Sequence, residues 1–483
     1  MTRQRSRRLA LGATLAAVVA ALSLTPGDGR RVEAVSGGDL GAGGEFQSIE
    51  PVRVLDTREV SAGELYGRQV SDSTPALAPE IVLPLDDSSF GLPTFEDLDR
   101  DGFDDNVLAV VVNITVVAPS RPGYLKAFGT GTPEGETSVV NFAAGEDTPN
   151  TAIIRLGRDA SLSMRIVTWQ GPGTADVVVD MTGWFSSSDY GTSGSRTVTI
   201  PPVRIFDSHE PQFAPTPSGS SWQRDITIRG AVDMFDTRRQ VVPDEAIGVI
   251  VNVTGDNPRL PTYVSLIPDR VASAGQVKTS NLNLYPGMTR ANLAIMPLPE
   301  DGELTLFTLR GDVRLILDVV GYLVAADDPT SRTGRVVPLV APFRAFDTRL
   351  AEHGSQRLPA AFAEDWSFDE FVADVKIDGV WVGAQQGLFG NLTATGLVRQ
   401  APWYPIAKTY LTAYPSPADG DRPYSSTLNL EEGEDVPNLV LLSYGPTTID
   451  DGGGETPVAN GVAVFNWSGY VHYLLDVYAV VLD

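Results

Sequence analysis

One short stretch has the residue types and spacing to hold a hard cation. Asp97, Asp99 and Asp101 place carboxylates at positions 1, 3 and 5 of a loop. Gly102 sits at position 6, the Phe103 carbonyl at 7 and Asp105 at 9. Oxygen ligands at these intervals let a single loop wrap calcium. Position 12 is Leu108, so the bidentate acid of an EF-hand is missing. Nothing comparable stands at the matching places further along the chain. The plainer alternative is an acidic, solvated hairpin insertion over residues 96–106.

A second polar set occurs three times. Pro51-Val-Arg53-Val-Leu-Asp56-Thr-Arg58 returns as Pro202-Val-Arg204-Ile-Phe-Asp207-Ser-His209 and as Pro342-Phe-Arg344-Ala-Phe-Asp347-Thr-Arg349. Downstream, Asn113, Asn252 and Asn391 follow one another at intervals of 139 residues. Asn141 and Asn150, Asn283 and Asn292, and Asn429 and Asn438 are nine apart in each case, and Asp180, Asp318 and Asp476 close each set. The neighbours are apolar, so these side chains are expected to be at least partly buried. A buried amide or carboxylate must be hydrogen-bonded. Arginine is the natural partner of a semi-buried aspartate. The expected role is a structural network that fixes strand register, and the sharper alternative is a ligand site built once per repeat. His209 in place of Arg58 shows that this position is not strictly required.

Catalytic patterns are lacking. His209, His353 and His472 share no metal spacing, and there is no His-Glu-x-x-His, Gly-x-Ser-x-Gly or phosphate loop. The carboxylates offer no pair that stands out as a glycosidase couple. Arg310-Gly311-Asp312 reads as a turn. Asn113, Asn252, Asn391 and Asn466 head formal glycosylation sequons, read as structural because three lie in strand-like runs. Trp169, Trp467 and Trp403-Tyr404 are aromatics that could stack on sugars, although core packing explains each one singly.

A period this long is a whole domain. Residues 47–185, 197–324 and 335–483 form three repeats, with linkers at 35–46, 186–196 and 325–334. Each repeat reads as all-β. In the first, runs rich in Val, Ile and Thr at 51–57, 80–85, 107–117, 123–129, 137–142, 150–156, 162–169 and 175–185 are separated by Gly, Pro, Asp and Asn. About eight strands per repeat predict a β-sandwich or jelly roll. A barrel-like closure or propeller blades are the alternatives.

Several segments carry a resemblance: Arg-Val-Leu-Asp-Thr-Arg (53–58), Val-Val-Asn-Ile-Thr-Val (111–116), Gly-Tyr-Leu (123–125), Ser-Asn-Leu-Asn-Leu (280–284), Leu-Asp-Val-Val-Gly-Tyr (317–322) and Val-Pro-Asn-Leu-Val (436–440). Together they resemble a β-rich repeat of secreted actinobacterial proteins. That repeat occurs in tandem or beside cell-wall and polysaccharide hydrolase domains. The resemblance covers nearly all of the chain after the first residues and implies no catalytic residue. The acidic loop separately resembles those of dockerin-type and FG-GAP-type proteins.

Residues 1–34 read as a signal peptide: Arg3, Arg5, Arg7 and Arg8 precede the apolar run Leu9 to Leu24. Ser6-Arg7-Arg8-Leu9 also looks like a twin-arginine signal. No later stretch is long and apolar enough to span a bilayer. The chain has no cysteine, so no disulfide framework supports it. A net charge of −25 disfavours nucleic acid and anionic membranes as partners. The expected function is therefore a secreted, non-catalytic structural or adhesive protein of the cell surface. The partners would be extracellular polysaccharide, cell wall or other surface proteins. A glycan-binding module is the alternative, and a polysaccharide hydrolase the remote one.

Overall fold

The computed structural model describes residues 40–483, apart from 60–68, 75–77, 211–219, 401–407, 451–454 and some isolated positions that include Asp99. It also gives the backbone of Arg5–Arg7, which runs parallel to Glu364–Trp366. The rest of the expected signal peptide, residues 35–39 of the 35–46 linker and Trp403-Tyr404 lie outside the described residues.

Each repeat folds into eight main strands. The first has β1 (Phe46–Asp56), β2 (Glu80–Pro84), β3 (Val107–Val117), β4 (Gly123–Gly129), β5 (Val140–Phe142), β6 (Thr148–Arg155), β7 (Ser161–Thr168) and β8 (Gly173–Ser186). The second has β9 (Ser195–Asp207), β10 (Trp222–Thr227), β11 (Gly248–Asp256), β12 (Thr262–Ile267), β13 (Leu282–Leu284), β14 (Thr289–Pro297), β15 (Glu303–Thr308) and β16 (Arg314–Ala325). The third has β17 (Val336–Asp347), β18 (Phe362–Ser367), β19 (Gln385–Val398), β20 (Lys408–Pro415), β21 (Leu428–Glu431), β22 (Val436–Ser443), β23 (Glu455–Asn466) and β24 (Tyr470–Leu482).

The pairing is the same three times. One sheet runs β1-β8-β3-β6 and the other β2-β7-β4-β5, and the later repeats copy both orders. The labelled strands pair antiparallel. Two four-stranded sheets in this order make a jelly roll. No sheet closes into a barrel, and the strand order is not that of propeller blades.

The two sheets differ in what they face. The outer strand β2 alternates between exposed and buried residues, whereas every residue of β3 is buried. A strand buried on both faces reads as a continuous apolar run, and Val107-Leu-Ala-Val-Val-Val112 is such a run. One face of the inner sheet covers the core of its own sandwich. The other meets the neighbouring repeats: Ile250, Leu293, Phe389, Leu439 and Tyr478 all join the core cluster of repeat one.

The linker segments are built into this body. Gly194 and Ser195 bond to Glu45 and Phe46, and Ser195 and Arg196 open β9 as buried residues. Arg196 donates to the carbonyls of Asp328, Ser331 and Thr333 in the 325–334 segment, and to Glu45 at 2.8 Å. Arg335 approaches the same carboxylate at 3.7 Å. The segments read as linkers at 186–196 and 325–334 are thus anchored at their ends. A half-buried acid and two buried arginines, drawn from the first strand of each repeat or its approach, tie the junctions together.

Candidate functional site

The repeated polar residues form a belt across each inner sheet. Arg53 on β1 lies opposite Asp180 on β8, which lies opposite Asn113 on β3. Arg204, Asp318 and Asn252 repeat the arrangement, as do Arg344, Asp476 and Asn391.

Within each belt the arginine grips the aspartate with two donors. The Nε distances are 2.8 Å to Asp180, 2.8 Å to Asp318 and 2.7 Å to Asp476. Burial pushes each of these carboxyls up, against the pull of its arginine. Asp56 and Asp347 are each held by a further guanidinium, Arg58 at 2.8 Å and Arg349 at 2.8 Å. In repeat two His209 stands at that position. Arg314, from the start of β16, takes over and donates its Nε to Asp207 at 2.8 Å. The charge is preserved from a different strand. Pairing with arginine lowers Asp56, and it lowers Asp207 and Asp347 in spite of burial.

The asparagines do something the sequence reading did not foresee. Their partners lie in the next repeat. Asn113 donates to the Ser280 carbonyl at 2.7 Å, Asn252 to Ser426 at 2.8 Å and Asn391 to Ser138 at 2.8 Å. In return Asn292, Asn438 and Asn150 donate to Asn113, Asn252 and Asn391 at 2.9, 2.9 and 3.1 Å. The amides of Thr151, Leu293 and Leu439 then donate to the side-chain oxygens of Asn292, Asn438 and Asn150. Repeat one binds two, two binds three and three binds one. The six side chains are buried and close a ring with threefold pseudosymmetry.

Asn141, Asn283 and Asn429 stand outside the ring. All three are half-buried, and Asn429 only reaches the neighbouring Ser426 hydroxyl at 3.3 Å. They sit in short strands at the sheet edges, where solvent already satisfies an amide.

The acidic loop is folded by its own aspartates. Asp97 accepts the amides of Asp101 and Gly102 at 3.0 and 3.1 Å, and Asp101 accepts that of Phe103 at 2.8 Å. Asp105 accepts the Leu98 amide at 2.5 Å. The Phe103 ring is buried beneath Arg155 and Arg158, 5.2 and 5.1 Å from its centre. Gly102 has φ +88°, the left-handed turn its place in the loop requires. Among the described residues no three acids or histidines are grouped to hold a metal, and Asp99 lies outside them. Asp104, which the spacing argument passed over, is buried and pushed up to about 6 by desolvation.

Arg310-Gly311-Asp312 forms the expected turn, with Asp312 paired to Arg259 at 3.0 Å. His353 is buried and shares a hydrogen bond with the Asp347 backbone, and burial lowers His472.

A cavity of about 330 Å3 opens between repeats two and three. Its size falls within the range of small-molecule sites. Repeat two contributes the ends of β11 and β16, and repeat three contributes β20, β21 and the segment between them. Tyr410 stacks on Trp467 with ring centres 5.5 Å apart and planes 13° apart. Across from them Tyr424 is 66% exposed, with the Arg204 guanidinium 5.2 Å over its ring. The carboxylates here are tied up: Asp256 accepts the Thr289 hydroxyl at 2.6 Å and Glu431 pairs with Lys408 at 2.5 Å. Sequence spacing had singled out only Arg204, Asn429 and Trp467 of this set. The rest come together through contact between repeats, which no local motif encodes.

No protein-family model matches the chain, and no curated protein matches it. Among solved structures it aligns with a protein described for the triple jelly-roll fold and turret assembly of an archaeal virus. The identity is 9%, over 91% of this chain and 90% of that one, with a TM-score of 0.17. A chain of the Sulfolobus turreted icosahedral virus aligns at 9% identity over 91% and 92%, with a TM-score of 0.17. The N-terminal tandem CBM22 domain of a Paenibacillus barcinonensis protein aligns at 10% identity over 61% of this chain and 100% of that chain, with a TM-score of 0.15. With scores this low, the alignments carry no argument about function.

Proposed function

We propose that this chain is a secreted, non-catalytic structural or adhesive protein of the cell surface. The observation that carries the reading is the closed asparagine ring. It turns three jelly rolls into one block with fixed geometry, and it consumes the polar residues that the repeats share. What recurs is architecture, with no nucleophile and base recurring beside it. The basic and apolar N-terminal stretch and the net charge of −25 support an exported, soluble surface. The resemblance to secreted actinobacterial repeats points the same way.

The cleft between repeats two and three favours a second reading, a glycan-binding module, because exposed rings beside hydrogen-bonding groups suit sugars. The test is to incubate the protein with cell-wall and polysaccharide preparations. Self-association alone supports the structural role, and sedimentation with the insoluble fraction supports glycan binding. Release of soluble fragments, abolished by Asp256→Asn, would sink the non-catalytic reading.

A further inference from the structure

We infer that the cleft between repeats two and three is a subsite for an acidic saccharide, a pyranose chain bearing carboxylates. The inference rests on the glycan-binding reading and adds the place and the ligand class.

Three independent features of the cleft point to a ligand. The first is the aromatic surface. Trp467 is backed by Tyr410 and still 53% exposed, while Tyr424 is held edge-on by Phe235 at 4.8 Å. Pre-stacked rings of this kind lose little freedom when a flat sugar face covers them.

The second is a pair of hydroxyls without partners. Residues Thr254 and Ser425 both line the cavity, one from each repeat, and among the described residues neither Thr254 Oγ1 nor Ser425 Oγ has a hydrogen-bond partner. Thr254 is 1% and Ser425 7% exposed. A buried polar atom left unpaired is costly, and such groups call for a ligand hydroxyl or an ordered water. Thr393, which matches Thr254 in repeat three, is also unpaired. The hydroxyl alone is therefore a property of the fold, and its company in this cleft makes the site.

The third is charge. Arg204, Arg314 and Lys408 all face carboxylates of the protein. Arg422 does not: among the described residues its guanidinium makes no ion pair and lies 3.8 Å over the Phe465 ring. A guanidinium fixed on an aromatic face keeps its edge donors for a carboxylate, which it can bind with two parallel hydrogen bonds. In a chain of net charge −25, a cation that makes no ion pair among the described residues and stands beside stacked rings selects an anionic sugar.

The experiment uses the full chain, with a galacturonate oligosaccharide as probe and a neutral glucose oligosaccharide of equal length as control, followed by titration calorimetry. The galacturonate chain should bind saturably, and more tightly than the neutral one. Trp467→Ala and Arg422→Gln should each weaken it by about tenfold or more. Trp169→Ala, at the matching turn of repeat one, should change nothing. If Trp467→Ala fails to fold, Arg422→Gln, a change at an exposed side chain, decides alone. Equal binding of both probes overturns the acidic assignment. Binding unmoved by Arg422→Gln and Trp467→Ala overturns the cleft, and glycan binding elsewhere on the molecule survives. If neither probe binds while the protein still sediments with cell-wall polysaccharide, the inference fails and the broader reading stands. If neither probe binds and nothing sediments, both fall.

Discussion

The ring of asparagines crosses every boundary between repeats and the cleft opens at one of them, between repeats two and three, yet they treat polar groups in opposite ways. In the ring every side-chain amide donates and every side-chain oxygen accepts, in the same pattern three times over. In the cleft, among the described residues, two buried hydroxyls have no hydrogen-bond partner and one exposed guanidinium makes no ion pair. The cleft is also where the repeats diverge: Trp467 corresponds to Trp169 and Leu309, and Arg314 does the work that Arg58 and Arg349 do elsewhere. The asparagine ring and the arginine–aspartate belt that the repeats share are satisfied internally and hold the body together. The cleft, where the repeats diverge, carries unmet polar groups at a cost, and unmet groups are the ones able to meet a ligand.

The largest effect should come from the shared belt. Asp318→Ala leaves Arg204 buried with its main partner gone, a change that costs about 3–5 kcal/mol. Denaturant unfolding should show this loss. A cost under about 1 kcal/mol would mean that the belt is not what satisfies Arg204.

The next effect belongs to an unshared residue. The Asp104 carboxyl has its pKa raised by burial from 3.8 to about 6. Between those values the folded chain binds more protons than the unfolded one, so stability falls as pH rises from about 4 to 6. Two units correspond to about 2–3 kcal/mol. Asp56, Asp207 and Asp347 act with the opposite sign: their pairs stabilise above the unfolded value near 3.8, and that contribution is lost as pH falls below it. Asp180, Asp318 and Asp476 are raised as well, so Asp104→Asn should flatten the slope between pH 4 and 6 without abolishing it. An unchanged slope in thermal melts would contradict the burial argument.

Asn252→Ala removes one ring member and strips a partner from the Ser426 carbonyl and from Asn438. The cost should be about 1–3 kcal/mol. Calorimetry should show the loss, together with a less cooperative transition. Asn113→Ala and Asn391→Ala should match it closely, because their neighbours are equivalent. A marked difference among the three would break the threefold description.

Much of this was legible in the sequence. All eight strands of repeat one fall within a few residues of their expected places, because alternation and turn residues are local signals. The Arg53–Asp180 type of pair was also foreseeable, since charge needs a partner wherever it is buried. The asparagine ring was not, because its bonds between repeats join residues more than 140 positions apart. One clue was available. Val107–Val117 has an apolar run too continuous for a sheet with one wet face, so something had to cover its second face. The cleft left no such clue, since Arg422, Tyr424 and Thr254 become neighbours only after the repeats meet.

The smallest expected effect concerns the acidic loop, the other unshared feature. Asp97, Asp101 and Asp105 already accept backbone amides, which shapes the turns without a metal. Each carboxylate oxygen has a second lone pair, so these bonds leave room for a cation. The calcium hypothesis therefore predicts a weak site, near the millimolar range of extracellular modules. At about five times its dissociation constant, calcium would add only about 1 kcal/mol of stability. That gain should appear as a small rise in unfolding temperature, removed by Asp97→Asn and left intact by Arg422→Gln. A calorimetric titration to about ten millimolar calcium that shows no heat would take the metal out of the account. The loop would then stand as a hairpin insertion pinned by Phe103 beneath its two arginines, built by the same backbone bonds with nothing at its centre.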